Sequence, residues 1–138
     1  MVEWPEADCS WSDFRGKVLG PTDPADAPAD SLRGLILQDW EALGLKHVPN
    51  VGDNGVHASA SPFEALAERN NWLSASFADD PFGGPLLKCG VSEATIKAWS
   101  VDPQLVIDGS NASLFDSVED MDTGTCLEKL ISINAENQ

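Results

Sequence analysis

The chain has 138 residues, enough for one domain with a sizeable core, and it carries 8 Lys+Arg against 23 Asp+Glu, a formal net charge of −15. That balance excludes a basic nucleic-acid groove, which needs clustered Lys and Arg, and argues against docking on an anionic membrane. No apolar run approaches the ~18 residues of a transmembrane helix, so membrane insertion is not expected.

The start of the chain, Met1-Val2-Glu3-Trp4-Pro5-Glu6, lacks the basic-then-apolar order of a signal peptide. The three cysteines, Cys9, Cys89 and Cys126, form no CxxC pair and point to free thiols in a reducing, cytoplasmic location. His47 and His57 do not stand at zinc-finger spacing from any cysteine pair. Trp11 to Gly20 reads as a short helix stopped by Gly20-Pro21, and the Pro- and Asp-rich stretch from Thr22 to Asp30 reads as a loop. From Ser31, the residues Leu32, Leu35, Ile36, Trp40 and Leu43 fall at helical spacing, with Gly44 as the terminating residue. A loop from Lys46 to Asn54 leads into an expected short strand, Val56-His57-Ala58.

Ser61-Pro62-Phe63-Glu64 is the clearest local signal. Ser61 fits the N-cap, Pro62 the first helical position and Glu64 the third, a capping box that predicts a helix to about Leu73. The stretch from Asp79 to Pro85 reads as a loop. A short helix from Ser92 to Ser100 follows, stapled by Val91 and Ile96, then a short strand or extended segment at Leu105-Val106-Ile107 and helices near Leu114–Met121 and Thr125–Ala135. The acidic C-terminal helices read as a solvated face. Asp53 with His57, or Asp79 with Asp80, could ligate a metal, but solvated loop carboxylates are the simpler account.

His57 stands out, by spacing alone either a surface or structural histidine or a candidate nucleophile. Small residues surround it, and Glu68 follows on the next predicted helix, where a carboxylate could orient the imidazole. The wording around it extends the argument. Asn54-Gly55-Val56-His57-Ala58-Ser59-Ala60-Ser61 resembles the active-site signature of nucleoside diphosphate kinases, Asn-x-x-His-Gly/Ala-Ser-x-Ser, and Ala65, Glu68 and Trp72 continue it without a gap. Upstream, the run from Leu19 to Gly34, with its Gly20-Pro21-Thr22-Asp23-Pro24 and Asp30-Ser31-Leu32-Arg33 wording, is similar to that family's phosphate loop. The wording is closer to the divergent members, several of them ciliary, so the expected location includes the cilium or axoneme.

The resemblance implies residue roles. His57 would be phosphorylated, with Glu68 and Ser59 orienting it. Thr22 and Arg33 would hold the nucleotide phosphates, and Asn54 would bond the ribose. Substrates would be nucleoside di- and triphosphates, with Mg²⁺ travelling with the nucleotide. The family's second phosphate-binding arginine falls at Gly16, with Arg15 and Lys17 on either side.

The implied fold class is α+β, a ferredoxin-like nucleoside diphosphate kinase core lacking its first strands, including the one that bears the family's lysine. The kinase-like segment would cover residues 1–74 with an insertion at about 35–52, followed by a mainly helical extension at 75–138. Strands near Met1–Trp4 and Gly55–Ala58 would flank a strand supplied by another polypeptide. The expected function is phosphate transfer between nucleotides through His57. The alternative is a catalytically weak or inactive kinase-like subunit of a larger assembly, and a third reading is an unrelated acidic interaction domain.

Overall fold

In a computed structural model, residues 2–137 are described, and they fall into two compact units, residues 2–58 and 59–137. Among the described residues the fold is a mostly helical α+β arrangement of six helices and one antiparallel hairpin. No ferredoxin-like sheet is formed by them.

The first unit is built from short pieces. Helix α1 (Trp11–Asp13) is capped by Ser10 and runs directly into a π-helical turn, Phe14–Leu19, that ends at Gly20. The expected strand near Met1–Trp4 is not present at Val2–Trp4, and Met1 itself lies outside the described residues. Trp4 instead donates its indole N–H to the Cys9 carbonyl at 2.8 Å and stacks on Phe14 with ring centroids 4.0 Å apart. The Thr22–Asp30 loop holds one 3₁₀ turn, Pro24–Asp26, whose start is capped by Asp23.

Helix α2 (Leu32–Gln38) starts where Ser31 places its hydroxyl on the Gly34 N–H. Gly34 is required by close approach. A Cβ there would lie 2.0 Å from the Pro28 carbonyl oxygen. The helix was expected to continue to Leu43 but stops at Gln38. A separate turn then closes as a Schellman motif, with Leu45 N–H bonded to Trp40 O and Gly44 N–H to Glu41 O, and Gly44 left-handed at φ +73°. Gly44 therefore terminates a turn as its sequence position implied, but not the same helix. The apolar residues that made the pattern look continuous, Leu35 and Leu43, are exposed.

The strand expected at Val56-His57-Ala58 is also absent; the segment takes part in no ladder among the described residues. The only bridge nearby is the Asn50–Asp53 turn. A strand needs a partner backbone, and the first unit offers none among its described residues. The Val56 carbonyl is taken by a side chain, that of Arg33.

The second unit holds the main core. Helix α3 (Pro62–Leu73) begins as its capping box predicts: Ser61 Oγ accepts from the Glu64 N–H at 3.1 Å. The Glu64 carboxylate reaches back one residue further than the usual box, to the Ala60 N–H. Phe63, Leu66 and Ala67 are buried, whereas Trp72 and Leu73 are exposed.

Helix α4 (Gly83–Lys88) occupies part of the segment read as a loop. It is nucleated by Asp80, whose Oδ1 accepts the N–H groups of Phe82 and Gly83. Asp80 is not the solvated carboxylate its loop composition implied. It is buried and ion-paired with Arg69.

Helix α5 (Glu93–Trp99) carries the Ser92 cap, and Val91 and Ile96 are both buried as a staple requires. Strands β1 (Gln104–Ile107) and β2 (Ser110–Ser113) form a hairpin across Asp108-Gly109. The expected helix at Leu114–Met121 is only a 3₁₀ turn, Asp116–Val118. There Ser113 and Asp102 side chains take the N–H groups of Asp116 and Phe115, which competes with helix formation. Helix α6 (Thr123–Glu136) buries Cys126, Leu130 and Ile133, one stripe at helical spacing, against the Phe63, Leu66, Leu86 and Trp99 cluster.

Candidate functional site

The residues that the sequence singled out in two separate segments come together in the first unit. Thr22, Arg33, Asn54 and His57 line one cavity of about 260 Å³, together with Arg15 and Leu19. His57 is exposed, on the irregular segment that follows the Asn50–Asp53 turn.

Two long-range hydrogen bonds hold the walls. Asn54 donates its side-chain amide to the Thr22 carbonyl at 3.1 Å, which leaves Asn54 Oδ1 as the acceptor turned to other use. Arg33 donates from Nη1 to the Gly20 carbonyl at 2.6 Å and from Nη2 to the Val56 carbonyl at 3.0 Å. The guanidinium thereby ties the turn at Gly20 to the segment that carries Val56 and His57. Its Nε is buried and finds no hydrogen-bond partner. Arg33 has five N–H donors, so two carbonyls do not exhaust it.

The electrostatics of this corner run against the chain's overall charge. Burial first, and then the Arg15 charge beside it, push Arg33 below the ordinary arginine range. Two guanidinium groups thus line one small cavity in a chain of net charge −15.

Arg15 is the lining residue that the sequence did not assign. The resemblance put the second arginine at Gly16. Arg15 lies on the π-helical turn at Phe14–Leu19. The only sequence signal for this was the basic residue on either side of Gly16.

In the second unit Ser59 donates its hydroxyl to Glu68 Oε2 at 2.5 Å, so the two residues assigned an orienting role do form a pair with each other. Ser59 stands two residues beyond His57 in the chain. Among the described residues no group of three or more His, Cys, Asp or Glu side chains gathers that could hold a metal ion. No helix among them is long and apolar enough to cross a membrane.

Comparison of the chain with family models, with curated proteins and with solved structures finds no match.

Proposed function

We propose that the first unit binds nucleoside di- and triphosphates and passes a γ-phosphate between them through His57. The observation that carries this reading is the meeting of Thr22, Arg33, Asn54 and His57, drawn from distant segments, around one cavity with Arg15.

The chemistry follows from the groups present. An imidazole nitrogen of His57 attacks the γ-phosphorus. The bond from phosphorus to the bridging oxygen breaks, and the nucleoside diphosphate leaves with that electron pair. A terminal oxygen of a second nucleoside diphosphate then attacks the phosphohistidine, and the phosphorus–nitrogen bond breaks back to imidazole. Arg15 and Arg33 neutralise charge on the transferred group, and Thr22 offers it a hydroxyl. Asn54 Oδ1 accepts from a ribose hydroxyl. By the same resemblance, Ser59 and Glu68 orient His57. Mg²⁺ arrives with the nucleotide and neutralises part of its phosphate charge.

The ferredoxin-like kinase fold remains part of this proposal, with its lysine-bearing strand supplied by another polypeptide. A second reading, a nucleotide-binding subunit without turnover, is favoured by one observation. Among the described residues that line the cavity there is no lysine. Incubation with γ-phosphate-labelled ATP separates the two. Transfer predicts an acid-labile, base-stable phosphoprotein that His57→Asn abolishes. Nucleotide binding without label supports the inactive subunit, and label that survives His57→Asn overturns the assignment of the nucleophile.

A further inference from the structure

A second cavity, of about 340 Å³, is lined in part by residues that neighbour those of the first in the chain. Asp53 and Gly55 line the second cavity, while Asn54, Val56, His57 and Ala58 line the first.

The opposite wall comes from the stretch read as an insertion, through Leu45, Lys46, His47 and Pro49. Both walls are held by their own backbone bonds. Asn50 and Asp53 exchange two N–H···O bonds of 3.0 Å, Asn50 Oδ1 accepts from Gly52 N–H at 2.9 Å, and the Trp40–Leu45 turn is closed by its Schellman bonds. The cavity is therefore preformed, within the roughly 300–1,000 Å³ common for small-molecule sites.

Its lining joins apolar groups to a partly exposed polar edge. Leu45, Pro49 and the Gly55 backbone offer apolar faces, and the polar groups are one ammonium, one imidazole and one carboxylate. His47 Nε2 stands 3.5 Å from Asp53 Oδ2 and can orient the carboxylate. A carboxylate accepts two adjacent N–H donors at once, and an ammonium donates to a carbonyl oxygen. Guanine presents that combination on one edge: N1–H and the 2-amino group beside O6. Adenine offers its 6-amino donor next to a bare ring nitrogen, which a carboxylate repels.

We infer that this cavity, built by the Gly44–Pro49 stretch and Asp53, takes the base of the nucleotide and selects guanine, with Asp53 accepting from N1–H and the 2-amino group and Lys46 donating to O6. The inference rests on the phosphate reading of the His57 cavity, and the two fail separately in the following experiment.

Titration calorimetry on the full chain measures GTP, ATP, guanosine and inorganic tripolyphosphate, each with Mg²⁺. The expected result is GTP binding at least about tenfold tighter than ATP, the scale of one charge-assisted hydrogen bond. Asp53→Asn removes that preference and leaves tripolyphosphate binding unchanged. The Asn50–Asp53 bridge uses backbone atoms, so this substitution keeps the turn. Equal binding of GTP and ATP by the unaltered chain overturns the base site while tripolyphosphate binding sustains the phosphate reading. Loss of tripolyphosphate and GTP binding together in Asp53→Asn also overturns it. Guanosine binding that Asp53→Asn abolishes, with no binding of tripolyphosphate, sustains the base site and overturns the phosphate reading.

Discussion

Arg69 and Asp80 meet as a two-pronged pair, Nε to Oδ2 at 2.6 Å and Nη2 to Oδ1 at 2.9 Å, with the Asp80 side chain almost wholly out of water. The pair links α3 to the start of α4, because the same carboxylate also accepts from the Phe82 and Gly83 N–H groups.

The pair sets an acid limit on the second unit. Burial pushes the Asp80 carboxyl up, but the Arg69 guanidinium and the two backbone N–H groups more than offset it and hold the carboxyl below its ordinary value. A depressed pKa in the folded state adds stability that is fully present above the unfolded value, about pH 4, and is lost as pH falls through the folded value. The urea midpoint of the natural chain should fall more steeply below about pH 4 than that of Asp80→Asn. Equal slopes would mean the pair does not act this way. At neutral pH, Arg69→Ala should cost about 3–5 kcal/mol, because it strands a buried carboxylate.

Arg33 should behave first as a clamp. Arg33→Ala removes the bonds to the Gly20 and Val56 carbonyls, so amide exchange should quicken in both segments, and tripolyphosphate binding should weaken by roughly ten- to a hundredfold. Arg33→Lys keeps the charge but cannot reach two carbonyls in a fixed fork, so it should restore part of the binding and little of the exchange protection. Restoration of both by lysine would count against the clamp.

Gly34→Ala tests the contact between α2 and the Pro28 turn. A Cβ would meet the Pro28 carbonyl oxygen at 2.0 Å, and backbone cannot swing aside as a side chain can. The expected cost is about 1–3 kcal/mol, visible as lost exchange protection in α2, with the second unit unaffected. A neutral result would show that the turn is free to retreat.

The three thiols should differ in reactivity. Cys126 is fully buried on α6, and burial pushes its thiol up to about 12, against a smaller downward effect of a backbone hydrogen bond at Phe63. Cys89 is exposed and Cys9 partly so. A thiol reagent at pH 8 should label Cys89 rapidly and Cys126 only in denaturant. Rapid labelling of Cys126 in the folded chain would mean that α6 opens readily.

Much of the local structure was legible in the residues. Ser31, Ser61 and Ser92 each accept from the N–H three residues on, because capping needs only a hydroxyl and a helix start nearby in the chain. The stripe Cys126, Leu130, Ile133 was readable for a similar reason, since periodicity is a short-range property. The hairpin was half legible: Leu105–Ile107 is apolar, but its partner Ser110–Ser113 is polar and only the Asp108-Gly109 turn marks it.

The rest was decided by distant partners. Val56 was expected in a strand, but a strand forms only where another backbone lies alongside, and here the Arg33 guanidinium takes its carbonyl instead. The Asp80 side chain leaves water because Arg69 compensates it, a fact that no local pattern around Asp79-Asp80-Pro81 encodes. The sequence by itself determined where the helices capped by Ser31, Ser61 and Ser92 begin, since capping depends on side-chain type and near neighbours. Only the tertiary structure decided that Thr22, Arg33, Asn54 and His57 share one cavity and that Arg15 joins them, because a cavity is made by chain segments that are remote in sequence.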